Sequence, residues 1–252
     1  MLERANVIAM RQDTAPLTSR GLTFVAEGKT LIDHVDLAVR ATGVTVVMGY
    51  NGAGKSLLLR LLHGMLTPTG GEVLWNGRPV TTEDRKRQAM VFQKPALLRR
   101  TALDNVRFVL ASRSISDRAR ASEILSEIGL DHIAGRAARR LSGGEQQRLA
   151  LGMALATRPD ILFLDEATAS LDPSSVHAIE AIVGAAQEAG TKIVMVTHDI
   201  GQARRLAAEV VFIDRGRIAE QAPAAQFFTN PVSEAARFYL DGKLPPSPRS
   251  AQ

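Results

Sequence analysis

Cysteine is absent from the 252 residues, which removes disulfides, thiolate metal sites and cysteine nucleophiles. Aromatic residues make up 4%, too few for a base-stacking surface. Dense basic blocks are also missing, so the net charge of +5, from 31 Lys and Arg against 26 Asp and Glu, is not read as a nucleic-acid signal; it serves a nucleotide, a membrane surface or solubility equally well. No apolar run approaches the roughly 20 residues that cross a bilayer. The opening MLERANVIAMRQDTAP has neither the apolar core nor the cleavage site of a signal peptide. These absences lead us to expect a soluble chain in a cytosolic setting. There is no internal repeat. What is plentiful is apolar content, 45%, enough for one large domain or two small ones with an ample core.

The most informative stretch runs from Val44 to Leu62, VTVVMGYNGAGKSLLLRLL: an apolar run, a glycine-rich turn, then leucines at helical spacing. Gly49, Tyr50, Asn51, Gly52, Ala53, Gly54, Lys55 and Ser56 fit the phosphate-loop pattern G-x-x-x-x-G-K-[ST], and the strand-to-helix context is the one that pattern requires. Glycines let backbone N–H groups close on phosphate oxygens while the following helix aims its positive dipole end at the same anion. Lys55 would reach the β- and γ-phosphates, and the Ser56 hydroxyl would ligate magnesium.

Along the chain, a lead-in covers 1–20. Alternation predicts strands over Gly21 to Glu27 and Val35 to Ala41, joined across Gly28, Lys29 and Thr30. Beyond the phosphate loop, a short strand from Glu72 to Trp75 meets the hairpin signal Asn76-Gly77, and Ala89 to Phe92 reads as a buried strand before Gln93. From Lys94 to Arg140 the pattern is helical, with Thr101 (with Asp104) and Ser116 as N-caps and Val106, Val109, Leu110, Ile124, Leu125 and Ile128 as apolar positions. This is an inserted helical subdomain, about 94–150, whose entry Ala96-Leu97-Leu98 is either a docking surface or a helix-packing edge.

Ser142 and Glu145 then stand at capping-box spacing around Gly143 and Gly144, a helix N-terminus open to close approach and to an anion. Ile161 to Leu164 is a short apolar run as in a parallel strand covered on both faces, ending in Asp165 and Glu166. Asp172 caps a helix with Pro173 at its first position and Gly190 beyond its end. Lys192 to Thr197 is a buried strand followed by His198-Asp199, and Val210 to Glu220 a hairpin about Asp214, Arg215 and Gly216. Two short helices lie around Gln226 and Ala235, and the last residues, 243–252, form a flexible tail that is Pro/Ser-rich from Pro245. Strand–helix alternation predicts an α/β class.

Together, the phosphate loop, Gln93, LSGGEQQR, ILFLDEATASLD and VTHD resemble, in order and spacing, the motif set of ATP-binding cassette (ABC) ATPases over roughly Gly21 to Gly242. The resemblance implies a P-loop NTPase with a RecA-like mixed sheet flanked by helices, an N-terminal antiparallel β subdomain and the helical insert, 21–242 forming one ATPase domain. It implies ATP and Mg2+ as cofactors, with Asp165 and Gln93 beside Ser56 at the metal. Glu166 would polarise the attacking water, His198 contact the γ-phosphate, and Gln93 report occupancy to the helical subdomain. It also implies a head-to-tail homodimer in which Ser142, Gly143, Gly144 and Glu145 of one copy face the nucleotide held by Lys55 of the other, with Asp172 reaching across. Where such ATPases place an aromatic against adenine, this chain has Ala26, with Phe24 nearby.

A single cassette without a membrane span is similar to the ATPase subunit of a multi-subunit bacterial importer, working at the cytoplasmic face of the membrane with permease subunits and, indirectly, a periplasmic or surface binding protein, and with no nucleic acid. The alternatives are an exporter subunit or a non-transport ATPase acting on DNA or ribosomes. The stretch from His198 to Pro231 resembles cassettes that energise oxyanion uptake, tungstate first, with phosphate and molybdate beside it.

Overall fold

The computed structural model describes residues 16–113, 115 and 118–243; the Ser116 cap, most of the lead-in and the tail from Pro245 lie outside these. The chain divides into two compact units, Met1–Val80 with Val196–Gln252, and Thr81–Met195.

In the first unit, β1 (Leu17–Ala26) and β2 (Lys29–Val39) pair antiparallel. Both begin earlier than alternation predicts. β1 is flanked on one side by β2 and on the other by a later strand, so its backbone groups are paired even where bulges disturb the side-chain rhythm. β3 (Val44–Met48) is buried along its whole length and runs through the glycine turn into α1 (Lys55–His63), which buries Leu58, Leu59, Leu61 and Leu62. Gly64 ends this helix at φ 81°, returning its N–H to the carbonyls of Arg60 and Leu61, as left-handed caps do. β4 (Gly70–Trp75) and β5 (Arg78–Pro79) complete a four-stranded antiparallel sheet, order β2-β1-β4-β5. Asn76 and Gly77 form the expected hairpin at φ 48° and 77°.

The second unit opens with α2 (Thr82–Lys86) and β6 (Gln88–Val91). α3 (Ala102–Ser112) is capped by Thr101 as predicted, and α4 (Arg118–Glu127) and α5 (Gly143–Ala156) follow. Val106, Leu110, Ile124, Leu125 and Ile128 are buried together with Leu149, and Leu97 packs against this cluster. The buried Asn105 amide gives and takes hydrogen bonds with Leu98 and gives one to the Thr101 carbonyl, which fixes the loop entering α3. β7 (Ile161–Asp165) is buried throughout and pairs parallel with β6. α6 (Pro173–Glu188) leads to β8 (Lys192–Val196), and the strand order is β8-β7-β6.

The chain then returns to the first unit. α7 (Ile200–Leu206) precedes β9 (Ala207–Asp214), which runs parallel to β3 and antiparallel to β10 (Arg217–Pro223), making this sheet mixed. α8 (Ala224–Thr229) and α9 (Glu234–Leu240) close the described chain. No helix among the described residues is long and apolar enough to cross a membrane.

Candidate nucleotide site

Between β3 and α1 the backbone is shaped by glycine where other residues do not fit. Gly49 sits at φ 148°, and a Cβ there would lie 2.1 Å from the Ile213 carbonyl oxygen. Gly54 sits at φ 105°, with Ile32 Cδ1 2.8 Å from the same imagined atom. Ala53 donates to the Tyr50 carbonyl and accepts from Gly216 in the β9–β10 turn, so the turn braces the loop. The cap of α1 is Gly54, which has no side-chain oxygen to spend on the first-turn amides, and that turn holds no acid. Buried Lys55 extends its ammonium along the loop, donating to the carbonyls of Gly49 at 2.9 Å and Tyr50 at 3.0 Å. The result is a helix N-terminus without a side-chain cap or acid, its dipole and a held cation, and this arrangement fits a polyphosphate. His198, in the same unit, is exposed just past β8, and its carbonyl accepts from the Tyr239 hydroxyl at 3.5 Å.

In the second unit, Asp165 is buried at the carboxyl end of β7. The next residue, Glu166, is only partly buried and has φ 50°. A non-glycine residue pays about 1–3 kcal/mol for such a conformation, and here it turns two consecutive carboxylates to different surroundings. Gln93 is exposed two residues beyond β6, and the intervening Phe92 carbonyl accepts from Gln147 of α5 at 3.0 Å. No cluster of three or more His, Asp or Glu arranged for a metal occurs among the described residues. The Ser56 hydroxyl in the first unit and the Asp165 carboxylate in the second are each hard oxygen donors of the kind magnesium takes.

The start of α5 differs from the start of α1. Ser142 accepts from the Glu145 amide, and the Glu145 carboxylate accepts in return from the Ser142 amide at 2.7 Å, a closed capping box. That backbone hydrogen bond, with the Ser142 hydroxyl, Arg136 and Arg148 assisting, holds the Glu145 carboxyl below its ordinary range, so it carries charge at neutral pH. Gly144 leaves no room for a side chain, since its Cβ would lie 2.1 Å from Ser175 Oγ. Ser175 in turn donates to Asp172, the cap of α6, from both its hydroxyl and its amide. Asp172 is held far below the usual carboxylate range by the Ser174 hydroxyl first and then by Ser175. The structure thus brings Ser142, Gly144, Glu145 and Asp172 together in one unit, and the loop residues and His198 both belong to the other.

Two residues outside the motifs, Ser175 against Gly144 and Tyr239 on His198, and one inside them, Gln147 on the Phe92 carbonyl, make contacts that the motifs do not specify. Each acts across a gap in sequence, so no local pattern marks it. Ala26, the last residue of β1, pairs with Lys29, and Phe24 pairs with Ile32.

A family profile described as "ABC transporter" matches residues 32–169. The chain is 37% identical over 230 residues to the methionine import ATP-binding protein MetN of Caulobacter vibrioides, covering 86% of this chain and 69% of that one. Against MetN of Cereibacter sphaeroides the identity is 37%, with 82% and 62% covered. It is 36% identical over 247 residues to the phosphate import ATP-binding protein PstB 2 of Natronomonas pharaonis, covering 90% and 87%. Among solved structures, cbiO1 from Clostridium perfringens, part of the ABC transporter complex cbiONQ, superposes with TM-score 0.78 at 27% identity over 86% of this chain and 92% of that one. The ATP-binding cassette MJ0796, a post-hydrolysis dimer bound to ADP and Pi, gives 0.74 at 27% over 82% and 98%.

Proposed function

Since this chain belongs to the ABC transporter family and is one of its ATP-hydrolysing subunits, we propose that it powers a multi-subunit importer as a head-to-tail homodimer bound to permease subunits. The observation that carries this reading is the unequal furnishing of the two helix termini: α1 has a cation and no acid, whereas α5 carries an ionised Glu145 at its tip. An anion is held well by the first; at the second the Glu145 charge opposes one, and a lysine arriving with the anion offsets that charge. A second copy brings that lysine with its nucleotide. The dimeric MJ0796 cassette and the cbiO1 complex support the assembly.

In this reading the loop amides and Lys55 bind the β- and γ-phosphates, and His198 orients the γ-phosphate. Ser142 and Gly144 approach that phosphate from the partner, with Asp172 beside them. Ser56, Asp165 and Gln93 would hold magnesium, which would supply positive charge to offset charge developing on the phosphates. Glu166 accepts the proton of the attacking water, a task that suits a carboxylate outside the metal's ligands. Driving the dimer almost wholly from open to closed takes about 5.5 kcal/mol of differential affinity, within reach of two shared triphosphates.

The cargo we propose is an oxyanion, tungstate first and phosphate or molybdate beside it. The supports are the resemblance of the stretch from His198 to Pro231 to oxyanion-uptake cassettes and the similarity to a phosphate import protein over 87% of its length. Methionine is the second reading, favoured by the MetN relatives.

Complementation tests the dimer. Lys55→Ala and Ser142→Arg each silence hydrolysis alone. Mixed, they form heterodimers with one intact composite site, and activity returns to about a quarter or more of the native rate if one site suffices for turnover. No recovery in verified heterodimers overturns the head-to-tail arrangement. For cargo, the purified complex with its permease and binding protein is assayed for ATPase stimulation by tungstate, phosphate and methionine; stimulation by methionine alone sinks the oxyanion reading.

A further inference from the structure

The phosphate-loop pattern makes no demand on position 50, and no step of hydrolysis uses an aromatic ring there. Tyr50 is nevertheless the residue whose carbonyl receives both the Lys55 ammonium and the Ala53 amide, so its main chain sets the grip on the lysine. Its side chain leaves the loop to join an aromatic cluster. The Tyr50 ring meets Tyr239 edge-to-face at 5.2 Å and Phe212 at 6.4 Å, and Tyr239 also meets Phe212 at 5.3 Å. The Tyr50 hydroxyl donates to the carbonyl of Lys243 at 3.0 Å. Burial, with Asp214 nearby, pushes its pKa up, so the hydroxyl remains a donor.

From the other direction, Tyr239 is a residue of α9, and its hydroxyl is directed at the carbonyl of His198. α9 is not a loose end. The Glu220 carboxylate of β10 accepts from the amides of Val232 and Ser233, Ser233 caps the helix, and Ala236 is buried. The helix is a fixed strut that touches two parts of the nucleotide machinery through two tyrosines. Edge-to-face aromatic pairs of this geometry carry orientation as well as burial.

We propose that Tyr50 and Tyr239 are positioning residues, through which the C-terminal helix α9 sets the lysine-gripping carbonyl of the phosphate loop and the main chain at His198. This rests on reading His198 as the γ-phosphate contact. ATP turnover thereby depends on a segment that meets no phosphate and lies some 180 residues from the loop in sequence. The two tyrosines divide the effect. Tyr50 acts on the loop and so on nucleotide affinity, whereas the Tyr239 hydroxyl acts on the histidine and so on the rate of the bound state, while the Tyr239 ring supports Tyr50.

The test uses the full chain with MgATP, steady-state hydrolysis and equilibrium ATP binding, at a temperature where circular dichroism shows each variant folded. Tyr239→Ala, which removes both the hydroxyl at His198 and the ring against Tyr50, lowers kcat about tenfold and raises KM for ATP as well. Tyr50→Ala raises KM about tenfold with kcat nearly kept. Tyr239→Phe, which keeps the ring and loses the hydroxyl, falls between native and Tyr239→Ala in kcat, by about threefold. An unchanged kcat in Tyr239→Ala overturns the inference, as does the same loss of kcat and the same change of KM in both alanine variants. If Tyr239→Ala does not fold, an unchanged kcat in Tyr239→Phe overturns it. His198→Ala is run alongside. If it lowers kcat and the Tyr239 variants do not, the positioning inference fails alone; if it leaves kcat unchanged, the reading of His198 has failed.

Discussion

The N-termini of α1 and α5 look alike in outline, each a glycine-bearing turn feeding a helix, and they differ in what they leave available. At α1 the cap is a glycine, the first turn has no acid, and a buried lysine is held against the loop's own carbonyls. At α5 a serine and a glutamate satisfy each other and put a negative charge at the positive end of the dipole. Sharing the same dipole physics does not make each terminus an anion site on its own. The side chains decide whether the dipole is offered to a ligand or already answered.

The strongest way to break this contrast is to trap both termini on one nucleotide. Glu166→Gln lowers turnover about 10²–10⁴-fold while ATP still binds, and size-exclusion chromatography with ATP shows a persistent dimer. Adding Ser142→Arg to that variant removes the dimer and leaves the ATP affinity of the single chain unchanged. Rapid hydrolysis by Glu166→Gln takes that residue out of its role.

Smaller effects compare the glycines. Gly49→Ala places a methyl on the Ile213 carbonyl, a backbone atom with nowhere to go, and costs about 3 kcal/mol of unfolding free energy. Gly144→Ala meets both the Ser175 hydroxyl at 2.1 Å and the Ser175 Cβ at 2.7 Å, so the hydroxyl turns away, gives up its bond to Asp172 and the start of α6 shifts slightly, at a cost of about 2 kcal/mol. Denaturant titration of the two reads the difference; equal costs would mean that the cap is as tightly built as the cradle.

The smallest effect is one of pH. The folded-state pKa of Glu145 is lowered from its ordinary 4.5. Its contribution to stability is therefore complete above about pH 4.5 and lost as pH falls through the lowered value. Glu145→Gln keeps the box and drops the charge, so it flattens that acid limb and costs about 0.5 kcal/mol at neutral pH. An acid limb identical to the native one would show that the carboxylate gains nothing from its position.

Where structure is local, the sequence was enough to read it. Thr101, Ser142 and Asp172 cap the helices predicted for them, Asn76-Gly77 makes its hairpin, and the strand–loop–helix setting of Gly49 to Ser56 is as expected. Each depends on residues within three or four positions of one another, where hydrogen-bond geometry follows from spacing alone. The early starts of β1 and β2 were not legible, because strand pairing there is set by flanking strands rather than by side-chain alternation.

What the sequence by itself determined is therefore the chemistry: a phosphate cradle, a capped glycine helix, two consecutive acids and a histidine at a strand end, in an order that names the ATPase. What only the tertiary structure decided is how those parts are braced. Gly144 is pressed on Ser175, Gln147 holds the strand end before Gln93, Gly216 supports Ala53, and α9 reaches Tyr50 and His198. The physical reason is that a close approach or an aromatic edge contact involves residues far apart in the chain, and nothing in either local pattern specifies its partner.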